Sequence, residues 1–363
     1  MEKAIKTFLR HTPRNLSYPY LEEHQDLYSI TKQIFKYHLK DVIKKVPQNI
    51  LSPLLEKLST DSDWPVREAA ARSLASLPPE TALPLLEKLS TDPSKYVREA
   101  VAESLASFPP EKALPLLEKL STDQDSRVRE FVAKSLANFP TEKALPLLEK
   151  LTNDPSYDVR FAAIKSLPSF PSEKVFPLIE NLSANPSEYV RRAVAESLSS
   201  FPPEKAFPLL EKLSTDSDYG VRQAVASSLA SFPPEKALPL LEKLSNDDYY
   251  TVPCAVAQSL ASFPPETALP LLEKITTYPH WQVRFVAAKS LASFSTEKAL
   301  SLLEKLLADD NLPVRISIAV SLNSLPTETA LPILEKLSTD RHFCVRLSIA
   351  ESLASFPPEK ALP

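Results

Sequence analysis

Residues 78–108 read PPETALPLLEKLSTDPSKYVREAVAESLASF, and the rest of the chain is largely this stretch written again. Val-Arg recurs at Val66, Val97, Val128, Val159, Val190, Val221, Val283, Val314 and Val345, always in steps of 31 or a multiple of it. The absent member, at Val252, is followed by Pro253. Ten such units fill residues 51–360. A period in this range marks a stacked repeat architecture, in which each unit buries its apolar face against its neighbours.

Within the unit the spacing predicts two helices. In the third copy Ala113, Leu116, Leu117 and Leu120 fall at i, i+3, i+4 and i+7, one face of a first helix running from about Glu111 to Leu120. Glu118 and Lys119 point away from that face. A proline at 115 and its equivalents leaves two readings of this helix, an irregular first turn or a start nearer Leu114. The second helix follows a column of Asp63, Ser94, Asp125, Ser156, Ser187, Asp218 and Asn311, side chains suited to accept from first-turn amides. Along it Val97, Val101, Leu105 and Phe108 line one stripe, while small Ala102 and Ser104 let neighbouring helices approach. The Leu105 and Ser104 columns are unbroken in all ten copies.

Composition narrows the chemistry. Of 363 residues one is glycine and 36 are proline, against roughly 25 and about 18 for average usage. Phosphate-cradling loops and nucleophile elbows need glycine where the backbone meets a ligand or turns sharply, so those enzyme classes are excluded. Nearly every proline marks a turn of the repeat. The net charge is −4, with a +4 excess in residues 1–50 and −8 over the repeats, a poor balance for a general nucleic-acid binder. No apolar run is long enough to span a membrane, and MEKAIKTFLR lacks the core of a signal peptide. With two cysteines, Cys254 and Cys344, a cytoplasmic location is the expectation.

The pattern Asp, then Val-Arg, then Ala-x-x-x-Leu resembles the HEAT repeats, in the short form of bacterial and archaeal proteins. The resemblance implies an all-α fold, a right-handed armadillo-type α-solenoid with second helices on its concave side. It also implies a structural ladder of acidic and basic residues between stacked units. The ladder positions are Asp61, Arg67, Asp92, Arg98, Asp123, Arg129, Asp154, Arg160, Asp216, Arg222, Asp309, Arg315, Asp340 and Arg346. Its two worst breaks, Pro253 for arginine and Tyr278 for aspartate, fall together and lead to the expectation of a kink or hinge there. Residues 1–50 do not follow the repeat and read as a helical cap. The chain closes on Glu359–Pro363, the opening of an eleventh unit, which suggests a fragment or an uncapped end that self-associates.

Neither the five histidines nor the two cysteines have metal-ligand spacing, and no carboxylate stands apart from the repeat. No enzyme activity, cofactor or metal is therefore expected. The variable columns carry the functional reading. One holds Trp64, Tyr157, Tyr219, Trp281 and Phe343; these rings either cover the inter-repeat turns or grip a ligand by stacking and cation–π contact. A second column follows the ladder arginines and includes Phe161, Arg192, Phe285, Ile316 and Leu347, with Val320 one turn beyond Ile316. Apolar residues cluster here in the last three units, as at an interface, or else they enlarge the local core. The leading expectation is a non-catalytic scaffold holding a protein or peptide along the concave face. Second stands a nucleic-acid-binding protein, since NPSEYVRRAVAESL at 185–198 is similar to repeats of alkylpurine DNA glycosylases. A bilin-lyase-like role comes third, on the use of short HEAT-like repeats alone.

Overall fold

The computed structural model describes residues 48–353. The expected cap over 1–50 lies outside them except for its last three residues, and so does the eleventh-unit opening. Among the described residues there are twenty α-helices and no strand. The first six are α1 (Gln48–Leu58), α2 (Trp64–Leu74), α3 (Pro79–Leu89), α4 (Lys95–Leu105), α5 (Pro110–Leu120) and α6 (Ser126–Leu136). Next come α7 (Thr141–Leu151), α8 (Tyr157–Ser166), α9 (Ser172–Leu182), α10 (Glu188–Ser197), α11 (Pro203–Leu213), α12 (Tyr219–Ser228) and α13 (Pro234–Leu244). The last are α14 (Thr251–Leu260), α15 (Pro265–Ile275), α16 (Trp281–Leu291), α17 (Glu297–Leu306), α18 (Leu312–Ser321), α19 (Thr327–Leu337) and α20 (Phe343–Leu353). Odd helices are the first of each repeat and even helices the second. Two compact units divide between Leu147 and Leu148, and each is described by itself.

In both units the second helices pack side by side, α2–α4–α6 in one and α8 through α20 in the other, while first helices touch each other far less. The reason is side-chain size. Val97, Val101, Ala102 and Leu105 are fully buried, as are their equivalents Val221, Val225, Ala226 and Leu229. The serine column does more than stay small. Ser104 Oγ donates to the carbonyl of Ala71 at 2.9 Å, Ser228 to Ala195 at 2.7 Å and Ser259 to Ala226 at 2.9 Å, each reaching one repeat back. A buried hydroxyl needs such a partner, and only a short side chain fits between helices this close.

First helices begin at the second proline of each Pro-Pro pair, as at Pro110, and contain the column proline, as at Pro115. Proline at the first position costs nothing because its amide would be unsatisfied anyway. The amide lost at Pro115 would have bonded the carbonyl of Glu111, an exposed residue. Lysines on this face reach the preceding first helix, with Lys112–Glu80 and Lys143–Glu111 both at 2.6 Å. All four side chains are exposed, so these pairs add little stability.

The ladder is wired differently from its sequence spacing. Six arginines pair with the aspartate of the following repeat: Arg67–Asp92, Arg98–Asp123, Arg191–Asp216, Arg222–Asp247, Arg284–Asp309 and Arg315–Asp340. The aspartate six residues before an arginine offers its backbone carbonyl instead, as Asp92 does to Arg98 at 2.7 Å, Asp123 to Arg129, Asp154 to Arg160 and Asp340 to Arg346. The aspartate's Oδ1 also accepts the amide two residues on, Ser94 N to Asp92 and Asp63 N to Asp61, both at 2.9 Å. This corrects the capping expectation. Among the seven column residues only the Asp125 and Asp218 side chains cap their helices, whereas Asp63, Ser94, Ser156, Ser187 and Asn311 do not.

One rung lacks its carboxylate. Asn185 occupies the aspartate position, and its Oδ1 is taken by the amide of Ser187 at 2.9 Å. With no carboxylate at this position of the ladder, Arg160 Nε is buried without a partner. Replacing Asn185→Asp is expected to complete the rung and stabilise the fold by about 1 kcal/mol, read as a higher midpoint in thermal melts at pH 7. The gain has a pH window. At Asp216 and Asp247 burial works to raise the carboxyl pKa, but the hydrogen bond from Arg191 or Arg222, a backbone amide and the arginine charge outweigh it and hold both below the ordinary range. Stability from such groups is complete above the unfolded carboxyl value of about 3.9 and is lost as pH falls through the lower folded value. The Asn185→Asp advantage should therefore shrink as melts are taken progressively below the unfolded carboxyl value of about 3.9.

Candidate functional site

The surface of the second helices is where the repeat stops being uniform. Among the described residues the exposed large apolar side chains are Tyr157, Tyr189, Tyr219, Tyr249, Val320, Phe343 and Leu347. Every one lies on a second helix or in the turn leading into it, and all fall in the unit from Leu148 onward. Several rings pair across repeats: Tyr157–Tyr189 at 5.3 Å edge to face, Tyr219–Tyr249 stacked at 4.6 Å and Tyr250–His280 stacked at 4.1 Å. In the other unit Trp64, half-buried, stacks on Tyr96 at 4.7 Å. The rings thus cover the inter-repeat turns and still leave area open to a ligand, Tyr249 being 54% exposed.

The irregular junction between the seventh and eighth repeats concentrates these features. Tyr249 stands where other repeats place a polar residue before the second helix, and α14 starts one residue late, at Thr251. Pro253 falls in the first turn of α14, where an amide has no intrahelical acceptor. The helix runs unbroken from Thr251 to Leu260, and the proline removes no hydrogen bond from its interior. Tyr278 repairs the missing rung. Its hydroxyl donates to the carbonyl of Asp247 at 2.6 Å, the same kind of carbonyl that the ladder arginines bond elsewhere.

Between α12, α14 and α16 lies a groove of about 380 Å³. Its aromatic wall is Tyr250, Trp281 and Phe285, the last two edge to face at 6.4 Å and 86°. Gln223, Gln258, Gln282, Ser227, Thr251 and Cys254 complete the polar part of its lining, and Thr251 Oγ1 is enclosed without a hydrogen-bond partner. Burial pushes the Cys254 thiol up to about 11, so it is neutral at pH 7 and unfit as a nucleophile. Tyr250 also borders a second depression of about 670 Å³, which Asp248, Lys274, Tyr278 and His280 help to line. The His280 ring stacks on Tyr250 and lies nearly parallel to Trp281 at 6.3 Å, and its Nδ1 accepts the Gln282 amide at 3.4 Å.

Of the residues expected from sequence, the structure brings Trp281 and Phe285 into this groove. Tyr219 stands beside it, stacked on Tyr249, over which the Arg222 guanidinium lies at 6.0 Å. Ile316 is half-buried on α18, while Val320, Phe343 and Leu347 are exposed further along the same face. Phe161 packs against Tyr157 at 5.7 Å, apart from the groove, and exposed Arg192 is held by Glu196 at 3.1 Å. Tyr250, in the same column as Tyr219 and Trp281, lines the groove as well; Thr251 lines it too and His280 stacks on Tyr250, although their columns do not single these two out. The available signal was the run of odd residues in one polar column, Tyr249 and His280 in successive repeats.

Electrostatics differ in the other unit. Glu99 is buried, and burial raises its carboxyl pKa despite Arg127 nearby. The 3.2 Å ion pair to Arg127 Nε leaves Glu99 Oε1 without a properly directed hydrogen bond. Among the described residues no three His, Cys, Asp or Glu side chains lie close enough to hold a metal ion, and no helix is long and apolar enough to cross a membrane.

The sequence matches the HEAT-repeat family over residues 51–130, 116–179, 175–253 and 239–323. No protein of curated function matches it in sequence. Solved structures share the fold at low identity. A Kap95p structure, titled for the effect of Kap95p binding on the switch loops of RanGDP, is 14% identical with a TM-score of 0.53, covering 90% of this chain and 52% of its own. The Kap95:Nup1 complex is 16% identical with the same TM-score and the same coverage. The chain therefore spans about half the length of those proteins.

Proposed function

The chain belongs to the HEAT-repeat family, and from that premise we propose that it is a non-catalytic scaffold whose second-helix face, from Tyr157 to Leu347, holds a protein or peptide partner. The observation that carries this reading is the confinement of exposed apolar side chains to one face of one unit. Exposed aromatic and aliphatic groups sharing a face are the usual anchors of protein interfaces, whereas the first-helix face offers paired lysines and glutamates. Kap95p, whose fold is similar, is named with protein partners in its structure titles, which supports the same use of the fold here.

The variant Phe285→Asp with Leu347→Asp tests the assignment. Both positions lie on the face, Leu347 is 53% exposed and Phe285 is half-buried at a groove edge. The melting temperature should stay close to that of the unaltered chain, while recovery of co-purifying proteins from the native host should fall at least tenfold. Unchanged recovery with unchanged melting would remove this face from the account.

A further inference from the structure

We propose that the groove under Tyr250, Trp281 and Phe285 receives an uncharged, proline-bearing peptide segment in the extended polyproline II conformation. The inference deepens the scaffold reading and rests on it. Three observations set the chemistry of the occupant.

Charge comes first. No Asp, Glu, Lys or Arg lines the groove. Lys289 Nζ lies over the Phe285 ring at 5.9 Å, outside the lining, so a charged group held within the groove would have no charged partner in its walls, and an unpaired buried charge is costly. Next, the polar side chains that share the lining with the rings are neutral amides, hydroxyls and a thiol. Gln223, Gln258 and Gln282 each carry two donors as well as an acceptor. A polyproline II segment supplies matching acceptors, because its carbonyls make no internal hydrogen bonds and proline has no amide to leave unsatisfied.

Third is the arrangement of rings. Trp281 and Phe285 meet at 86°, forming a corner, while Tyr250 is held in place by its stack on His280. Fixed aromatic walls at an angle, with donors alongside, suit the pyrrolidine rings of a pre-extended segment whose ordering cost is already low. The volume of about 380 Å³ lies at the small end of ligand pockets, which suits a short peptide stretch better than a large cofactor.

The chain has two tryptophans, so Trp64→Phe leaves Trp281 as the sole reporter. We would titrate this variant with an acetylated, amidated decaproline, following tryptophan emission, and repeat the titration by calorimetry on the unaltered chain. Saturable binding of decaproline is expected by both methods. Tyr250→Ala and Phe285→Ala should each weaken it at least tenfold, with helical content by circular dichroism preserved. Ten-residue peptides of alternating serine and alanine, or of decaproline with glutamates or lysines replacing alternate prolines, should bind at least tenfold more weakly. The proposal is overturned by any of three results: no saturable binding at millimolar decaproline, equal binding of the serine–alanine peptide, or tighter binding of a charged or phenylalanine-bearing peptide. A silent decaproline titration together with partner loss in Phe285→Asp with Leu347→Asp would retire this ligand class and leave the scaffold reading standing.

Discussion

Arg222→Ala should lower the stability of the chain by about 3 kcal/mol. Arg222 Nε and Nη2 hold the Asp247 carboxylate at 2.5 and 2.9 Å, and Nη1 bonds the carbonyls of Asp216 and Ser217 at 2.7 and 3.2 Å. The paired side chains are only 14% and 10% exposed. Truncating the arginine strands a largely buried carboxylate and two turn carbonyls, and the stranded groups dominate the cost, rather than the net worth of the pair. The informative control is Arg160→Ala. That guanidinium lacks a carboxylate at its rung and already has an unpartnered Nε, so its loss should cost nearer 1 kcal/mol, the two carbonyl bonds alone. Urea unfolding of both variants measures the difference; equal losses would mean that the rungs contribute only through packing.

Leu260→Ala is expected to be at least as damaging, at about 2–5 kcal/mol. Leu260 is fully buried at the end of α14, in the column that is leucine in every repeat. Its removal leaves a cavity walled by backbone that cannot collapse, because neighbouring second helices are fixed by the Ser259–Ala226 bond and by small side chains on either side. Stacked repeats gain much of their stability from nearest neighbours, so one weak repeat in the interior should also broaden or split the unfolding transition. Leu347→Ala, at an exposed position, should change the midpoint by less than about 0.5 kcal/mol. A single sharp transition for Leu260→Ala at the unaltered midpoint would show that the column does not carry the core.

The fold could be read before any coordinates because repetition separates what packing demands from what it leaves free. The Leu105 and Ser104 columns never vary, and both proved to be buried at the contact between second helices. What the period hides is direction between repeats. Asp92 lies six residues before Arg98 and Asp123 lies 25 after it; only stacking decides that the carboxylate comes from the later one. The first-helix prolines were open to two readings for a similar reason, since whether a lost amide is tolerable depends on whether the orphaned carbonyl is exposed.

The candidate site was half legible. Tyr250, Trp281 and Phe285 stand out as rings in two columns whose members vary between apolar and polar. Thr251 and His280 did not, because their place depends on α14 starting one residue late and on a histidine filling a turn position. The expected hinge at Pro253 was a local argument about one amide. Left out of it are the proline's place in the first turn and Tyr278, which, four-fifths of a repeat away in sequence, supplies a hydrogen bond in place of the missing arginine.

The most direct test of the scaffold claim is site-specific photo-cross-linking in the native host. A benzophenone amino acid is placed at Phe285 on the second-helix face, and separately at exposed Lys236 on the first-helix face. Discrete cross-linked adducts from position 285, absent from position 236 and suppressed by adding Leu347→Asp, are the predicted result. Adducts from position 236 alone, or the same adducts from both positions, would contradict it.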